Sequence, residues 1–226
     1  VRQAALALGQ MRQRILRQFS QRTEMLAGVS HDLRTPLTRM KLQLAMLERS
    51  PEIKELEDDV HDMQKMIEGY LAFARGEGTE TPIVTNLQKL IGEVVAAEKR
   101  DGSKINLTMN MPNPQQIEVR PQALKRAITN LISNSKRYGK KLEVQLFSNK
   151  DAVTLIVDDD GPGIPTEFNE DVFKAFFRLE PSRNPQTGGT GLGLTIARDI
   201  ARSHGGVLEL RKAPIVGLRA VINIPV

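Results

Sequence analysis

A helical pattern runs from residue 4 to about residue 48, and only Pro36 interrupts it. Its apolar residues recur mostly at steps of three and four, the spacing of a helix that packs against another helix. They are Leu8, Met11, Ile15, Phe19, Leu26, Val29, Leu33, Leu37, Met40, Leu44 and Leu47. A second helical pattern follows a turn at Ser50 and Pro51 and ends near Arg75. The two patterns predict a helical hairpin. Because its core would be thin, we expect two copies to form a four-helix bundle.

The sequence changes character after the second helical pattern. Residues 76–81 are polar and contain two glycines, which is typical of a boundary between domains. From residue 82 onward helical and alternating patterns take turns, and this predicts an α+β layer domain. The predicted helices cover 86–100, 121–135 and 191–204, and the predicted strands cover 104–109, 115–119, 141–148, 152–158, 207–211 and 218–225. Residues 160–190 fit neither pattern, and a loop of this length in a compact domain favours a functional role.

Composition and charge exclude several kinds of site. The chain has no cysteine, which removes disulfides and thiolate metal sites, and its three histidines are too scattered for a His-rich metal site. No run approaches the roughly 18 apolar residues of a membrane helix. The whole net charge of +5 lies in residues 1–22, which hold five arginines and no acidic residue. This segment predicts either a solvated helix face or a helix close to anionic lipid or nucleic acid. Balanced charge in the rest of the chain argues against a nucleic-acid-binding protein.

The first candidate site is the segment 30–36 on the first helix. His31 is predicted to point away from the apolar seam, and its neutral imidazole can act as a nitrogen nucleophile. Asp32 beside it can take a proton, as a base next to a nucleophile does. Pro36 cannot donate to the carbonyl of Asp32 and should kink the helix. A lone exposed histidine would be ordinary, but the whole motif favours chemistry at His31.

Two further motifs lie in the α+β part. Asp158 to Gly163 follow an apolar strand, and carboxylates at a strand end that faces a loop predict the rim of a ligand site. A carboxylate only accepts hydrogen bonds, so it can hold the amino group of adenine but not the carbonyl of guanine. Gly188 to Leu194 open a helix, where glycines let backbone amides approach phosphates. The glycine motif is not a dinucleotide fingerprint, because a loop rather than a strand precedes it.

Polar residues of the helix predicted over 121–135 complete the candidate site. Asn130 and Asn134 are four residues apart and therefore share one helix face. Their amide oxygens suit a hard cation such as Mg²⁺ carried by phosphates. Arg137 and Tyr138 follow near the helix end, where a nucleotide could meet a cation and a ring. Each motif alone could be an acidic turn, a glycine loop or a polar helix end, but together they favour a nucleotide site.

Taken in order, these motifs resemble the conserved boxes of bacterial sensor histidine kinases. The similar segments are His31–Pro36 for the phospho-acceptor H box, Asn130–Tyr138 for the N box, Asp159–Gly163 for the first glycine box, Phe173–Arg178 for the F box and Thr190–Leu194 for the second glycine box. The resemblance spans roughly residues 23–226 and is greatest to the EnvZ osmosensor type. The last glycine box is reduced to Gly217. The resemblance implies a dimeric helical hairpin followed by a Bergerat-type ATP-binding sandwich.

The resemblance also implies an order of domains. Residues 1–22 would be the end of a HAMP-like linker helix, 23–75 the dimerisation and histidine phosphotransfer hairpin, 76–81 a linker and 82–226 the catalytic ATP-binding domain. A HAMP-like end, in a chain that begins at Val1 without Met, implies a membrane segment upstream. We therefore expect the cytoplasmic portion of a bacterial inner-membrane protein. Its expected partners are a second copy of the chain and the receiver domain of a response regulator, with no nucleic acid.

The implied activity is that of an ATP-dependent protein histidine kinase with ATP and Mg²⁺ as cofactors. His31 would accept the γ-phosphoryl group and pass it to an aspartate of the regulator. Asp32 would act as base, and Thr35 would help to position water for phosphatase activity. Asn134 would ligate Mg²⁺, with Asn130 assisting.

By the same resemblance, residues 160–190 would form a lid over ATP. Arg137 and Arg178 would face phosphates, Tyr138 would stack near adenine, and Asp159 would read its amino group. The expected ATP-binding residues are Asn130, Asn134, Ser135, Lys136, Arg137, Tyr138, Gly139, Asp159, Gly161, Gly163, Phe173, Arg178, Leu179, Gly189, Thr190, Gly191, Leu192, Gly193 and Leu194.

Two other functions remain open at this point. One is a dimeric scaffold or phosphotransfer module with a weak ATP domain, against which the intact Asn134, Asp159 and residues 189–193 argue. The other is an ATPase that moves a partner without phosphorylating histidine. The H box on a dimerising hairpin argues against that second alternative.

Overall fold

The computed structural model describes residues 2–74, 80–100, 102–111, 116–179 and 191–226. The chain divides into two compact units, residues 1–76 and 77–226. The first unit is a hairpin of two helices, α1 (Arg2–Ala45) and α2 (Pro51–Ala74). Among the described helices, we find none whose length and hydropathy would let it span a bilayer.

Ser50 sets the start of α2. Its Oγ accepts the backbone N–H of Ile53 at 3.3 Å and donates to the carboxylate of Glu52 at 2.6 Å. The Ser50 hydrogen bond lowers the pKa of Glu52 below its ordinary value. Pro51 takes the first helical position, where no intrahelical partner for an N–H exists. The turn predicted at Ser50 and Pro51 is therefore confirmed as a helix cap.

The second unit is built around a five-stranded sheet within the described ranges. Its strands are β2 (Ile105–Asn110), β4 (Leu142–Ser148), β5 (Ala152–Asp159), β6 (Val207–Lys212) and β7 (Leu218–Pro225). Their order is β2-β4-β5-β7-β6, and only the β2–β4 pair is parallel. A separate antiparallel pair joins β1 (Ile83–Asn86) to β3 (Gln116–Val119). Val157 on β5 lies opposite Val144 and Ala220, so the three central strands bury their apolar residues on the same face.

Three helices, α3 (Leu87–Glu98), α4 (Pro121–Tyr138) and α5 (Gly193–Ser203), cover that apolar face. Ile128 on α4 and Ile200 on α5 are fully buried where the two helices pack together and onto the sheet. The unit is thus a layer of helices on a mixed sheet. This confirms the predicted fold class, a helical hairpin followed by an α+β sandwich.

The predicted ends of the helices and strands agree with the structure to within a few residues, except at a few places. Asn86 caps α3 as predicted, with its side chain accepting the N–H of Lys89 at 3.0 Å. Helix α4 runs three residues beyond its predicted end at 135. Strand β1 was not predicted, because its four residues pair only with the distant β3. The loop predicted over 160–190 contains two short 3₁₀ turns, at Thr166–Phe168 and Asp171–Phe173, and its residues 180–190 lie outside the described part.

Candidate active site

A cavity of about 460 Å³ lies in the second unit, between α4, the end of β5 with the loop that follows it, and the start of α5. This volume is within the range of sites for small organic ligands, roughly 300–1,000 Å³. The described residues that line it are Asn130, Ser133, Asn134, Arg137, Tyr138, Asp159, Pro162, Gly163, Ile164, Pro165, Phe168, Val172, Phe177, Arg178, Leu179, Gly191, Gly193, Leu194 and Leu218.

Asp159 is the buried carboxylate of the cavity wall. Its Oδ1 accepts the backbone N–H of Gly161 at 3.0 Å and that of Leu218, the first residue of β7, at 3.1 Å. Within the described part of the chain, Oδ2 accepts no hydrogen bond. One oxygen therefore anchors the side chain while the other remains for a donor in the cavity.

Two glycines allow the backbone to come this close to Asp159. A Cβ on Gly217 would collide with the carbonyl and carboxylate oxygens of Asp159. A Cβ on Gly161 would lie 2.9 Å from both the Asp159 carboxylate and the carbonyl oxygen of Tyr138. Gly217 is all that remains of the last glycine box in this sequence. The structure shows why a glycine is needed there: any side chain would prevent the backbone from approaching Asp159. The signal for Gly217 in the sequence is a single glycine directly before an apolar strand.

The acids on either side of this carboxylate have other partners. Asp158 binds the guanidinium of Arg219 through two hydrogen bonds of 2.7 and 2.6 Å, which raises the pKa of Arg219. Asp160 accepts the backbone N–H groups of Lys141 at 2.8 Å and Lys140 at 2.6 Å, and these bonds lower its pKa. Of the three consecutive acids, only the middle one belongs to the cavity.

Helix α4 supplies two amide side chains to the cavity. Asn130 and Asn134 line it one helical turn apart, as their spacing predicts. The Nδ2 of Asn130 is buried and has no hydrogen-bond partner among the described residues. An unpaired buried amide destabilises a protein by about 1–3 kcal/mol. A bound acceptor, such as a phosphate oxygen, would satisfy this donor.

The start of α5 forms another wall of the cavity. Gly193 and Leu194 lie at the positive end of the helix dipole, where anions are stabilised. Just before it, the carbonyl of Gly191 accepts the N–H of Phe176 at 3.0 Å. Gly191 has a φ of +66°, and a Cβ there would lie 2.8 Å from the carbonyl carbon of Phe176. Gly191 is therefore needed for a close backbone approach, whereas a Cβ on Gly193 would find its nearest contact, the Cβ of Asn130, at 3.8 Å.

The H motif lies on α1 in the first unit. His31 is in the helix, and its side chain lies outside the described set. The side chains of Asp32 and Thr35 are exposed, and α1 continues through Pro36. The hydroxyl of Thr38 donates a hydrogen bond of 2.9 Å to the backbone carbonyl of Arg34, one helical turn earlier. Asp32 and Thr35 thus lie on the helix surface, whereas Ser30, directly before His31, is buried.

Comparison with known proteins assigns each unit to a family. Residues 21–79 match the model of the His Kinase A (phospho-acceptor) domain, and residues 119–226 match that of the histidine kinase-, DNA gyrase B- and HSP90-like ATPases. Over 98% of its length the chain is 34% identical to the sensor histidine kinase CpxA of Escherichia coli, of which it covers 51%. It belongs to the sensor histidine kinases.

Other relatives agree with this assignment. The sensor histidine kinase GtrS of Pseudomonas aeruginosa is 33% identical over 99% of the chain, which covers 46% of GtrS. The solved histidine kinase domain of the E. coli osmosensor EnvZ is 34% identical, with a TM-score of 0.52, 66% of this chain covered and 92% of that one. The chain spans about half the length of CpxA and GtrS. The predicted family, the sensor histidine kinases with relatives of the EnvZ type, is confirmed.

Most of the expected ATP-binding residues of this sensor histidine kinase meet at one cavity. Those that line it are Asn130, Asn134, Arg137, Tyr138, Asp159, Gly163, Arg178, Leu179, Gly191, Gly193 and Leu194. Gly161 does not line the cavity but donates to the Asp159 carboxylate. Gly189 and Thr190 lie outside the described residues.

Other expected ATP-binding residues do not reach the cavity of the kinase. The Nζ of Lys136 lies 2.6 Å from the carbonyl oxygen of Glu98 and 2.9 Å from its carboxylate, so Lys136 ties α4 to the end of α3. Ser135 is buried on α4 and its carbonyl accepts the N–H of Gly139, which ends the helix. Leu192 is fully buried at the start of α5. These residues shape the elements around the site without lining it.

Phe173 of the F box also lies behind the cavity wall. Its ring packs under the guanidinium of Arg198, which is 4.2 Å from the ring centroid. The hydroxyl of Thr195 donates to the Phe173 carbonyl at 2.9 Å. Both partners belong to α5, so Phe173 attaches the loop to that helix.

Several cavity residues of the sensor kinase were not predicted. They are mostly apolar: Pro162, Ile164, Pro165, Phe168, Val172, Phe177 and Leu218, with Ser133 on α4. The rings of Phe168 and Phe177 lie 6.0 Å apart. For the apolar residues between 162 and 177, the signal in the sequence is a set of apolar residues in a segment without helical or strand periodicity. Such residues are buried by a ligand site rather than by secondary structure.

Proposed function

We propose that this chain is the kinase core of a membrane sensor. It phosphorylates His31 from ATP, transfers the phosphoryl group to an aspartate of a response-regulator receiver domain, and removes it again. The observation that carries the proposal is the anchored carboxylate of Asp159, in one cavity with the amides of Asn130 and Asn134. This set suits a nucleotide, because the carboxylate can accept a hydrogen bond from the base and the side-chain amides can donate hydrogen bonds to phosphate oxygens. Incubation with γ-labelled ATP and Mg²⁺ tests it, because a scaffold module would acquire no label.

The adenine base would lie against the apolar part of the cavity. Ile164, Phe168 and Val172 supply a surface on which an aromatic ring loses its hydration favourably. The amino group of adenine would donate to Oδ2 of Asp159, the oxygen that the backbone leaves open. Guanine presents a carbonyl at the corresponding position, and two acceptors would then face each other.

Wild-type chain should bind ATP about ten to a hundred times more tightly than GTP, the equivalent of one charge-assisted hydrogen bond. Asp159→Asn should narrow this ratio. Its amide oxygen can still accept from the backbone at 161 and 218, while its NH₂ group can donate to guanine. Calorimetry with both nucleotides measures the ratio. Asp160→Asn removes the same charge outside the cavity and should keep the preference for ATP; equal affinities in the wild type would contradict the role of Asp159.

The phosphates would lie between α4 and the start of α5. Asn130 and Asn134 fit a phosphate-bound Mg²⁺, since amide oxygens are hard ligands and the unpaired Nδ2 of Asn130 needs an acceptor. When bound, Mg²⁺ neutralises phosphate charge. Arg137 and Arg178 would bind phosphate oxygens, and the N–H groups at the start of α5 would do the same.

Phosphorylation would use the two neighbours of the H motif. A ring nitrogen of neutral His31 attacks the γ-phosphorus, an N–P bond forms, and the bond from phosphorus to the oxygen of ADP breaks with its electron pair on ADP. Asp32 takes the proton of the imidazole. A carboxylate of the receiver domain then attacks the phosphorus, the N–P bond breaks with its electron pair on the imidazole, and Asp32 returns the proton, so that His31 is released neutral. In the phosphatase reaction the hydroxyl of Thr35 would orient the attacking water.

The hairpin would form a dimer through an apolar stripe that it leaves exposed. Val29, Leu33 and Met40 lie along one side of α1, and Leu56 and Met63 along one side of α2. A large exposed apolar stripe on a helix is typical of an interface. A second copy would cover both stripes and complete a four-helix bundle.

Met40→Glu should dissociate this dimer, because it would place a charge in the bundle core. Leu42→Glu provides a matched control: Leu42 is 62% exposed against 46% for Met40, but it lies about half a turn round the helix from the stripe. Analytical ultracentrifugation should find Met40→Glu as a monomer and Leu42→Glu as a dimer. A dimer in both variants would place the interface elsewhere.

The proposed domain order follows the family. Residues 1–22 would end a HAMP-like linker, 23–75 form the phosphotransfer hairpin, 76–81 the linker, and 82–226 the Bergerat-type ATP domain. We propose a cytoplasmic position, with the membrane segment upstream. The basic residues of 1–22 support this placement, since the cytoplasmic face of a membrane attracts positive charge.

A further inference from the structure

The start of α4 is capped by a residue that precedes the second unit's sheet. Oε1 of Glu80 accepts the backbone N–H of Gln122 at 2.8 Å, and Oε2 accepts that of Ala123 at 2.9 Å. Within the described residues, the N-cap residue Arg120 makes no side-chain capping bond, and the first turn of α4 has no acidic residue. Glu80 therefore provides both the hydrogen bonds and the negative charge that this helix end lacks.

The backbone N–H of Arg120, the residue before α4, also has a partner, which lies at the end of α5. Nε2 of His204, the residue that ends α5, accepts the backbone N–H of Arg120 at 3.0 Å. The other ring nitrogen lies 2.8 Å from the carbonyl of Ile200, an arrangement that fits a proton on Nδ1. Pro121 has no N–H, and Leu124 already donates within the helix. All N–H groups of the first turn are thus paired, two of them with Glu80.

The capped end lies opposite the cavity along the same helix. Asn130 lies seven residues, about 10 Å, beyond Ala123, and Asn134 one turn further. Ala123 and Leu124 are buried, so the first turn cannot shift without disturbing the packing of α4 on its neighbours. Glu80 lies just after the boundary between the two units at residue 76.

We propose that Glu80 is a positioning residue, which controls the placement of α4 in the nucleotide cavity through the first turn of that helix. This inference rests on the proposed function. Withdrawing the carboxylate leaves the N–H groups of Gln122 and Ala123 without acceptors and loosens the first turn. Because a helix moves as a stiff rod, the change reaches Asn130 and Asn134. Binding of nucleotide and engagement of Glu80 therefore favour each other.

The test uses the full chain, Mg²⁺ and a non-hydrolysable ATP analogue, at a temperature where circular dichroism shows every variant folded. Glu80→Ala should weaken binding of the analogue about tenfold, the scale of losing a helix cap. Glu80→Gln keeps an acceptor oxygen and should recover part of this loss. Glu118→Gln, which neutralises an exposed acid on β3, should bind as the wild type does.

Amide hydrogen exchange separates positioning from a merely structural role. In the wild type, the analogue should slow exchange at Gln122 and Ala123, although both lie far from the cavity. In Glu80→Ala the two amides should exchange about tenfold faster, and the analogue should no longer slow them. Wild-type affinity in Glu80→Ala, or an equal effect of the analogue in both proteins, would overturn the inference alone. Absence of analogue binding by the wild type would instead overturn the proposed function and this inference with it.

Discussion

His31→Gln should remove all transfer of the γ-phosphoryl group to the chain while leaving nucleotide binding unchanged. Glutamine preserves a polar side chain on the helix but has no ring nitrogen that can form an N–P bond. The proposed nucleotide-binding groups, among them Asp159 and Asn130, lie in the other unit and are not altered. Incubation with γ-labelled ATP, followed by gel separation and calorimetry with the non-hydrolysable analogue, measures both properties.

The control for this variant is His61→Gln on α2, an exposed histidine outside the H motif. It should retain full labelling. The label on the wild type should be lost in acid, since the N–P bond of a phosphohistidine hydrolyses there, whereas a phosphoserine is stable. Label that survives in His31→Gln, or that disappears in His61→Gln, would show that the phosphoryl group goes to another residue.

Thr35→Ala should leave autophosphorylation intact and strongly reduce removal of phosphate from the response regulator. Thr35 lies one helical turn after His31 on the same face, and its side chain is exposed. In the proposed mechanism, its hydroxyl orients the water that attacks the phosphorylated regulator. Autophosphorylation in that mechanism needs the imidazole of His31, the carboxylate of Asp32 and bound ATP, and none of these depends on the Thr35 hydroxyl. The regulator is found by screening candidates for rapid transfer, and loss of its phosphate is then followed over time.

Two further variants test whether the hydroxyl itself matters. Thr35→Ser keeps the hydroxyl and should keep the phosphatase activity. Thr38→Ala removes a hydroxyl that donates to the carbonyl of Arg34, so it perturbs the helix next to Pro36 without touching the proposed water. Thr38→Ala should dephosphorylate normally. If Thr35→Ala also dephosphorylates normally, or loses both activities, Thr35 serves the geometry of the helix instead.

Local features of the sequence predict much of this protein. The spacing of apolar residues predicts α1 and α2, and Asn86 marks the start of α3, because periodicity and capping depend on neighbours within a few residues. The pair Asn130 and Asn134 is predicted to share a face for the same reason. Glycine-rich and acidic segments identify the region of the ATP site even without secondary structure. The kinase family follows from the order of these motifs.

Side-chain partners far apart in sequence were not predictable in this way. Lys136 was expected at the nucleotide, yet it binds Glu98, because α3 and α4 pack side by side. The motif resemblance singles out Asp159 among the three acids from Asp158 to Asp160, but it does not give the partners of the other two. Strand pairing alone places the first beside Arg219 and turns the second toward the cavity.

Short-range patterns in the sequence predict the helices, most of the strands, the family and the identity of most polar groups at the cavity. The contacts that hold those groups in place are visible in the folded structure alone. Asp159 is anchored by Leu218, 59 residues later, and Gly217 is needed for that approach. The start of α4 is capped by Glu80 and His204, which lie 42 and 84 residues from the amides they bind. Such contacts form only when the sheet and its helices pack, so no local pattern encodes them.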